Sequence, residues 1–398
     1  MMIRTPTVAL SCGAVFVAAL AACPAPRGPT PPVLLARTLE LGRSGAALAG
    51  VAGDAVSVFV ALTNAPDIRR NQSAIAQPPS SPSTTAPPAP APSTTAPPAP
   101  ETAPSPTVSS TAASTATTTI EAISTRTFHA DAPAWRTQVD GAGGPLVASA
   151  GKVFAALSGA GSVAGIALRG EPGAVVTALD ASTGAIAWKV AIDATEWSVI
   201  SSLAATSDGA LVGGTFSGTL RAGNRVVSSA GKTDGFAARL DASGGVTWLV
   251  RVGGPGADAV QGVAAAGDQL AIAGTFTGTA DLLGKPLVPV DERSPASNAF
   301  VAELDAAGAP RWVDTFGGQA DQSIAGVAID SRGRIAVAAS VRDTVHVGGG
   351  DLVANGPADG LVAWWARGGT RGAAVLLGGA DFDGLRAMAA AGDHIVVA

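Results

Sequence analysis

Residues 178–188 read ALDASTGAIAW. Two later stretches repeat the skeleton, as Asp241, Gly244 and Trp248 and again as Asp305, Gly308 and Trp312. In the first copy the matching residues are Asp180, Gly184 and Trp188. An aspartate closes an apolar run, a glycine follows within four residues, and a tryptophan stands four residues beyond the glycine. This is the chemistry of a tight hairpin between two strands. The carboxylate accepts backbone N–H bonds of the turn, and glycine supplies the positive φ. The tryptophan, now in the next strand, is expected to bury its ring against a neighbouring unit. A fourth copy keeps Gly369 but has Ala366 in place of the aspartate and Ala373 in place of the tryptophan.

Outward from these turns, other features travel in phase. GGTFSGT from Gly213 returns as AGTFTGT from Ala273 and decays to AASVRDT from Ala338. The pair Gly253-Gly254 returns as Gly317-Gly318 and Gly378-Gly379. Positions 180, 241 and 305 lie 61 and 64 residues apart, and Ala366 follows 61 later. A shared period in independent features marks an array of equivalent units. The third unit divides into four short runs, Val260–Gly267, Gln269–Phe276, Phe300–Asp305 and Pro310–Phe316. Four strands per unit of about 60 residues match a propeller blade. The predicted fold is all-β, a β-propeller of four-stranded blades with about six units, the last incomplete. The apolar ending Ile395–Ala398 falls in mid-pattern, so the array is expected to continue in an intact gene.

Composition agrees. Fifty glycines and 28 prolines among 398 residues punctuate the chain too often for long helices. The net charge of −5 is thinly spread with no basic block, which excludes a nucleic-acid footprint. Both cysteines, Cys12 and Cys23, lie in the first 23 residues, so the body has no disulfide framework or cysteine metal site.

Residues 1–22 have the layout of an export signal: Arg4, then an apolar run from Val8 to Leu20, too short for a membrane span. The run ends in Leu20-Ala21-Ala22-Cys23, which resembles the bacterial lipobox. That resemblance implies cleavage before Cys23 and lipidation of its thiol. The membrane is then a partner through several acyl chains, which together anchor stably. Pro24 stands where an aspartate would suggest inner-membrane retention, so the expected location is the outer membrane of the cell envelope.

Residues 23–32 then form a lipidated tether. Residues 33–70 resemble a half-unit, Leu41-Gly42 through Gly53-Asp54 to Thr63 following Val252-Gly253 through Gly267-Asp268 to Thr277. Residues 71–117 are rich in Pro, Ser and Thr, with PSTTAPPAP twice, and are expected to be disordered and extended, as a spacer or an O-glycosylated stalk. The propeller repeats occupy residues 118–398. On one reading Thr118–Phe128 supplies the third strand of the half-unit, placing the Pro-rich segment inside the first blade. On the other, residues 33–76 are a separate minor segment. A strand near Val33–Leu41 is further expected to close the last unit.

Here a family resemblance becomes specific. Ala178, Asp180, Thr183, Gly184 and Trp188 match the A-x-D-x-x-T-G-x-x-x-W docking motif of quinoprotein-type, PQQ-like propeller blades. Later units lack the threonine and have a turn one residue shorter, closer to the glycine-rich propeller repeats of secreted bacterial proteins. The resemblance implies the fold over roughly residues 130–398. Its enzymes need a calcium ion, a large cofactor site and, in many, a vicinal cysteine pair, which this chain lacks.

No catalytic constellation is evident, and no cofactor or metal site is expected. His129, His346 and His394 do not cluster with each other or with carboxylates at ligand spacing, and Asp258, Gln322 and Asp383 share one repeat position suited to turn capping. The leading expectation is therefore not an enzyme but an anchored binding or scaffolding propeller for an unknown envelope protein or glycan. The inserts Gly161–Pro172 and Leu283–Ser297 are its candidate binding loops. The alternatives are a quinoprotein-type oxidoreductase or other propeller enzyme, and a carbohydrate-binding module.

Overall fold

The structure is a computed structural model. It describes residues 14–18, 36–40, 47–53, 57–64, 116–124, 134–347 and 350–398, with side chains for 116–122, 134–347 and 350–398. Every element among the described residues is a strand, and all sheets but one local pairing are antiparallel. The fold is an all-β propeller of blades that follow one another along the chain.

The first blade runs Ala47–Gly53, Ser57–Asn64, Thr117–Ser124, Trp135–Asp140. The second is Ala142–Ser149, Lys152–Gly159, Gly173–Asp180, Ile186–Ala194, and the third Trp197–Thr206, Gly209–Ser217, Asp234–Asp241, Val246–Gly253. The fourth is Ala259–Ala266, Gln269–Phe276, Asn298–Leu304, Pro310–Gly318, and the fifth Ser323–Ile329, Ile335–Val341, Ala358–Trp365, Arg371–Leu377. A final pair, Met388–Ala391 and His394–Val397, begins another unit. The innermost strands of successive blades pack against one another along the array.

Burial explains why these segments are strands. The second and third strands of a blade are sandwiched between neighbouring blades, so both faces are apolar; Gln269–Phe276 and Asn298–Leu304 are buried throughout. Outer strands such as Val246–Gly253 alternate in burial, one face inward and one outward. The core consequently lies between blades: Phe236 and Phe216 fill the junction of the second and third, Phe300 and Phe276 that of the third and fourth. Each of these pairs meets edge to face, with centroids 6.2 and 6.5 Å apart. Glycine is required opposite the ring. A Cβ on Gly274 would lie 1.9 Å from the Ala259 oxygen and 2.8 Å from the Phe300 ring.

Three departures from the sequence reading matter. The second, third and fourth sheets have six strands, because each receives a short hairpin from the following unit. Thr219–Ala222 with Arg225–Ser228 adds to the second blade, Ala280–Leu282 with Lys285–Leu287 to the third, and Thr344–Val347 with Gly350–Val353 to the fourth. At three or four residues each, these strands are too short to show a period, so they pass for loop. The strand Ala36–Glu40 pairs with Ala14–Ala18 and, among the described residues, not with the last unit, so the expected closure through Val33–Leu41 is corrected: its register is set by that other strand. Thirdly, His346 does have a carboxylate beside it. Hairpin register sets it opposite Asp351, with Nδ1 2.5 Å from Oδ1, and His394 lies 3.3 Å from Asp393. His129 lies outside the described residues.

Candidate functional site

The repeated turns bind blade to blade. In the second blade the Asp180 carboxylate accepts the N–H groups of Ser182 and Thr183 at 2.9 and 3.0 Å. These bonds, led by the Ser182 hydroxyl, hold Asp180 below the usual carboxylate range. Asp241 is lowered likewise by the Ser243 hydroxyl and the Gly245 N–H. Asp305 accepts from Ala307 and Ala309 at 2.9 Å.

Each turn so shaped receives a tryptophan from the preceding blade. Trp135 donates its indole N–H to the Ala181 oxygen at 2.8 Å, Trp188 to Ala242 at 2.9 Å, and Trp248 to Ala306 at 3.0 Å. The turn glycine lies flat under the ring. A Cβ on Gly184 would sit 2.4 Å from Trp135, one on Gly244 2.8 Å from Trp188, and one on Gly308 2.7 Å from Trp248. All three glycines also have positive φ. Trp312 packs on Gly369 in the same way but donates to its own blade's Glu303. Ala178 is fully buried one strand away, opposite Trp188 in register, where a larger residue would displace the ring. Thr183 keeps its own hydroxyl bonded within the turn. The carboxylates and hydroxyls of the motif are thus engaged within their own turns, and the tryptophans on the turn of the next blade. Leu20, Ala21, Ala22 and Cys23 lie outside the described residues.

A second repeated feature joins two sequence repeats, Asp234, Asn298 and Asp359 on one strand and Gly253, Gly317 and Gly378 on the next, whose contact the sequence did not show. Where the outer strand of a blade ends, one carboxylate or amide is buried against a glycine. Asp234 faces Gly253, Asn298 faces Gly317 and Asp359 faces Gly378. In the second blade the two residues are exchanged: Asp193 is on the outer strand and Gly173 opposite. Asp258 borders the same place in the third blade, accepting Gly254 and Thr277 N–H groups at 2.7 and 3.0 Å. Burial, with a contribution from the Asp234 charge, pushes its carboxyl up to about 6.

Both candidate binding loops border clefts. One, of about 450 Å³, is lined by Ala167 and Arg169 from the first insert, by Lys189 and Asp193, and by Arg221 on the added hairpin. Strand pairing sets Arg221 directly opposite Asp193. Arg169 is fixed on Asp193, its own N–H at 2.7 Å and Nε at 3.1 Å from Oδ2, and Lys189 donates to the Ala164 oxygen at 2.7 Å. The Arg221 side chain is exposed and makes no hydrogen bond or ion pair among the described residues. Three cations against one carboxylate make this cleft electropositive on an acidic protein. The other cleft, of about 510 Å³, is lined by Asp291, Arg293, Ser294, Pro295 and Gln319.

No family model matches the chain, and no curated protein matches it. Solved structures similar to it include a europium-containing methanol dehydrogenase, at 12% identity and TM-score 0.31, covering 68% of this chain and 72% of that one. They also include quinohemoprotein alcohol dehydrogenases from Comamonas testosteroni (11%, TM-score 0.31, 70% of this chain) and Pseudomonas putida HK5 (10%, TM-score 0.33, 71% of this chain). The chain spans 61% of the length of each of these two. The expectation that the chain is not an enzyme is withdrawn: it rested on finding no catalytic constellation, and the solved structures similar to this propeller are dehydrogenases. Their activity remains theirs at this identity. The chain has no vicinal cysteine pair, and no group of three His, Cys, Asp or Glu side chains gathers among the described residues.

Proposed function

We propose that the protein is a lipid-anchored envelope propeller that binds an anionic ligand in the cleft between the first insert and the added hairpin of the second blade. The carrying observation is Arg221, a cation held over the cleft by strand pairing and left with all its donors free, beside Arg169 and Lys189. A guanidinium so placed matches a carboxylate or sulfate fork. Acidic envelope glycans present such groups in series. Anchoring through the lipobox thiol of Cys23 would hold the cleft at the membrane surface.

The test is calorimetric titration with uronic-acid oligosaccharides against neutral oligosaccharides of the same length. Acidic chains are expected to bind, and Arg221→Glu to weaken them by about tenfold or more, as loss of a charge-assisted bond implies. Equal binding of neutral chains, or an unaffected variant, would refute the proposal. Labelling with a radioactive fatty acid, lost in Cys23→Ala, tests the anchor. A quinoprotein-type oxidoreductase is the second reading, since the similar solved structures are dehydrogenases. Dye reduction after reconstitution with pyrroloquinoline quinone and calcium would establish it.

A further inference from the structure

The buried acid at the end of the outer strand is paired with an arginine in the second and third blades. In the second blade, Asp193 carries Arg169. In the third, Asp234 carries Arg251, with Nη1 3.3 Å from Oδ1. In the fourth the residue is neutral, and both ends of the Asn298 amide are bonded, to the Val290 N–H and the Ala296 oxygen. In the fifth blade Asp359 is a carboxylate again, with no exposure to solvent. One oxygen accepts the Asn355 N–H at 2.9 Å, and the other, Oδ1, has no partner. The residue in register with Arg251 is Leu376, so the arginine is missing.

Leaving a buried carboxylate oxygen unpaired is costly. Further oxygens lie nearby. Asp359 lies in parallel register with Asp383, whose carboxylate is tied to Gly379 N–H at 2.7 Å. A Cβ on Gly378 would be 2.6 Å from Asp359 Oδ1. The main-chain oxygens of Gly379 and Asp381 crowd Gly356, 2.9 and 2.1 Å from where its Cβ would be. Hard divalent cations are held by such mixed sets of carboxylates, carbonyls and water, calcium above all because it tolerates irregular geometry.

We propose that Asp359 and Asp383, with main-chain oxygens of the Gly379–Asp381 turn, form a calcium-type divalent cation site where the chain leaves the fifth blade. The ion takes the place that Arg169 and Arg251 occupy in the second and third blades. This inference does not depend on the anionic cleft.

Calcium is titrated into the chelator-treated full-length protein, with binding heat and thermal midpoint as readouts. With calcium about 100-fold above its dissociation constant, the midpoint of the transition is expected to rise by about 5 °C. Asp359→Asn reproduces the Asn298 arrangement, which the fourth blade already accommodates, and is expected to abolish both binding and shift. Leu376→Arg, which restores the guanidinium, is expected to do the same. The absence of calcium binding up to millimolar concentration, or a response retained by Asp359→Asn, would overturn the site.

Discussion

The junction between the third and fourth blades joins two full sheets, whereas the one that follows the fifth blade joins a sheet to a pair of strands, with different side chains at the contact. At the former, Trp248 is 7% exposed, lies on Gly308 and donates to Ala306, and a hairpin from the next unit extends the outer strand. At the latter, Ala373 stands at the tryptophan position. The link to the final pair includes Arg332 to Asp393 at 2.6 Å and Arg334 to the Asp393 oxygen at 3.2 Å. Val375, Leu377 and Phe382 are left 45%, 40% and 60% exposed. The difference teaches where adhesion between blades comes from. A buried indole removes a large apolar area from water and satisfies its one polar atom, while exposed ion pairs contribute little.

If that comparison is right, Trp248→Ala is the most damaging change, at about 3–5 kcal/mol in denaturant unfolding. A loss below about 1 kcal/mol would break the comparison. Gly308→Ala should follow at about 2 kcal/mol, because it combines a positive φ with a clash against the Trp248 ring. The same measurement checks it, and the double variant with Trp248→Ala should cost less than the sum, since the ring is then gone.

A pH series sharpens the picture within the third blade. Asp258 has a carboxyl raised to about 6, so the folded state holds more protons than the unfolded one between about pH 4 and pH 6. Stability should therefore fall as pH rises through that window, and Asp258→Asn should flatten the decline in thermal midpoint. Asp241, held low by its turn, acts oppositely: its stabilisation is present above the ordinary carboxylate range and is lost on acidification. The smallest effect belongs to the weak junction. Asp393→Ala should change stability by no more than about 1 kcal/mol, and the change should shrink further in high salt.

Much of the fold was legible in the sequence because its signals are local and repeated. The third unit's predicted runs coincide with its four strands to within two residues or so at the ends, since apolar runs bounded by Gly and Asp mark strand limits directly. The site was less legible. Both inserts were recognisable as interruptions of the period, but the cationic character of one arises from Arg221, which is remote in sequence from Arg169 and arrives on a hairpin too short to show alternation.

What the amino-acid order determined alone was the unit: its length, its strands, the turn that closes it and the tryptophan that leaves it. Only tertiary structure decided which unit each short hairpin joins and which charges meet. The exchange of Asp193 and Gly173 for Gly253 and Asp234 shows why. A linear comparison sees two unrelated substitutions; cross-strand pairing places both carboxylates in one position of the blade, because hydrogen-bond register brings together residues far apart in the chain.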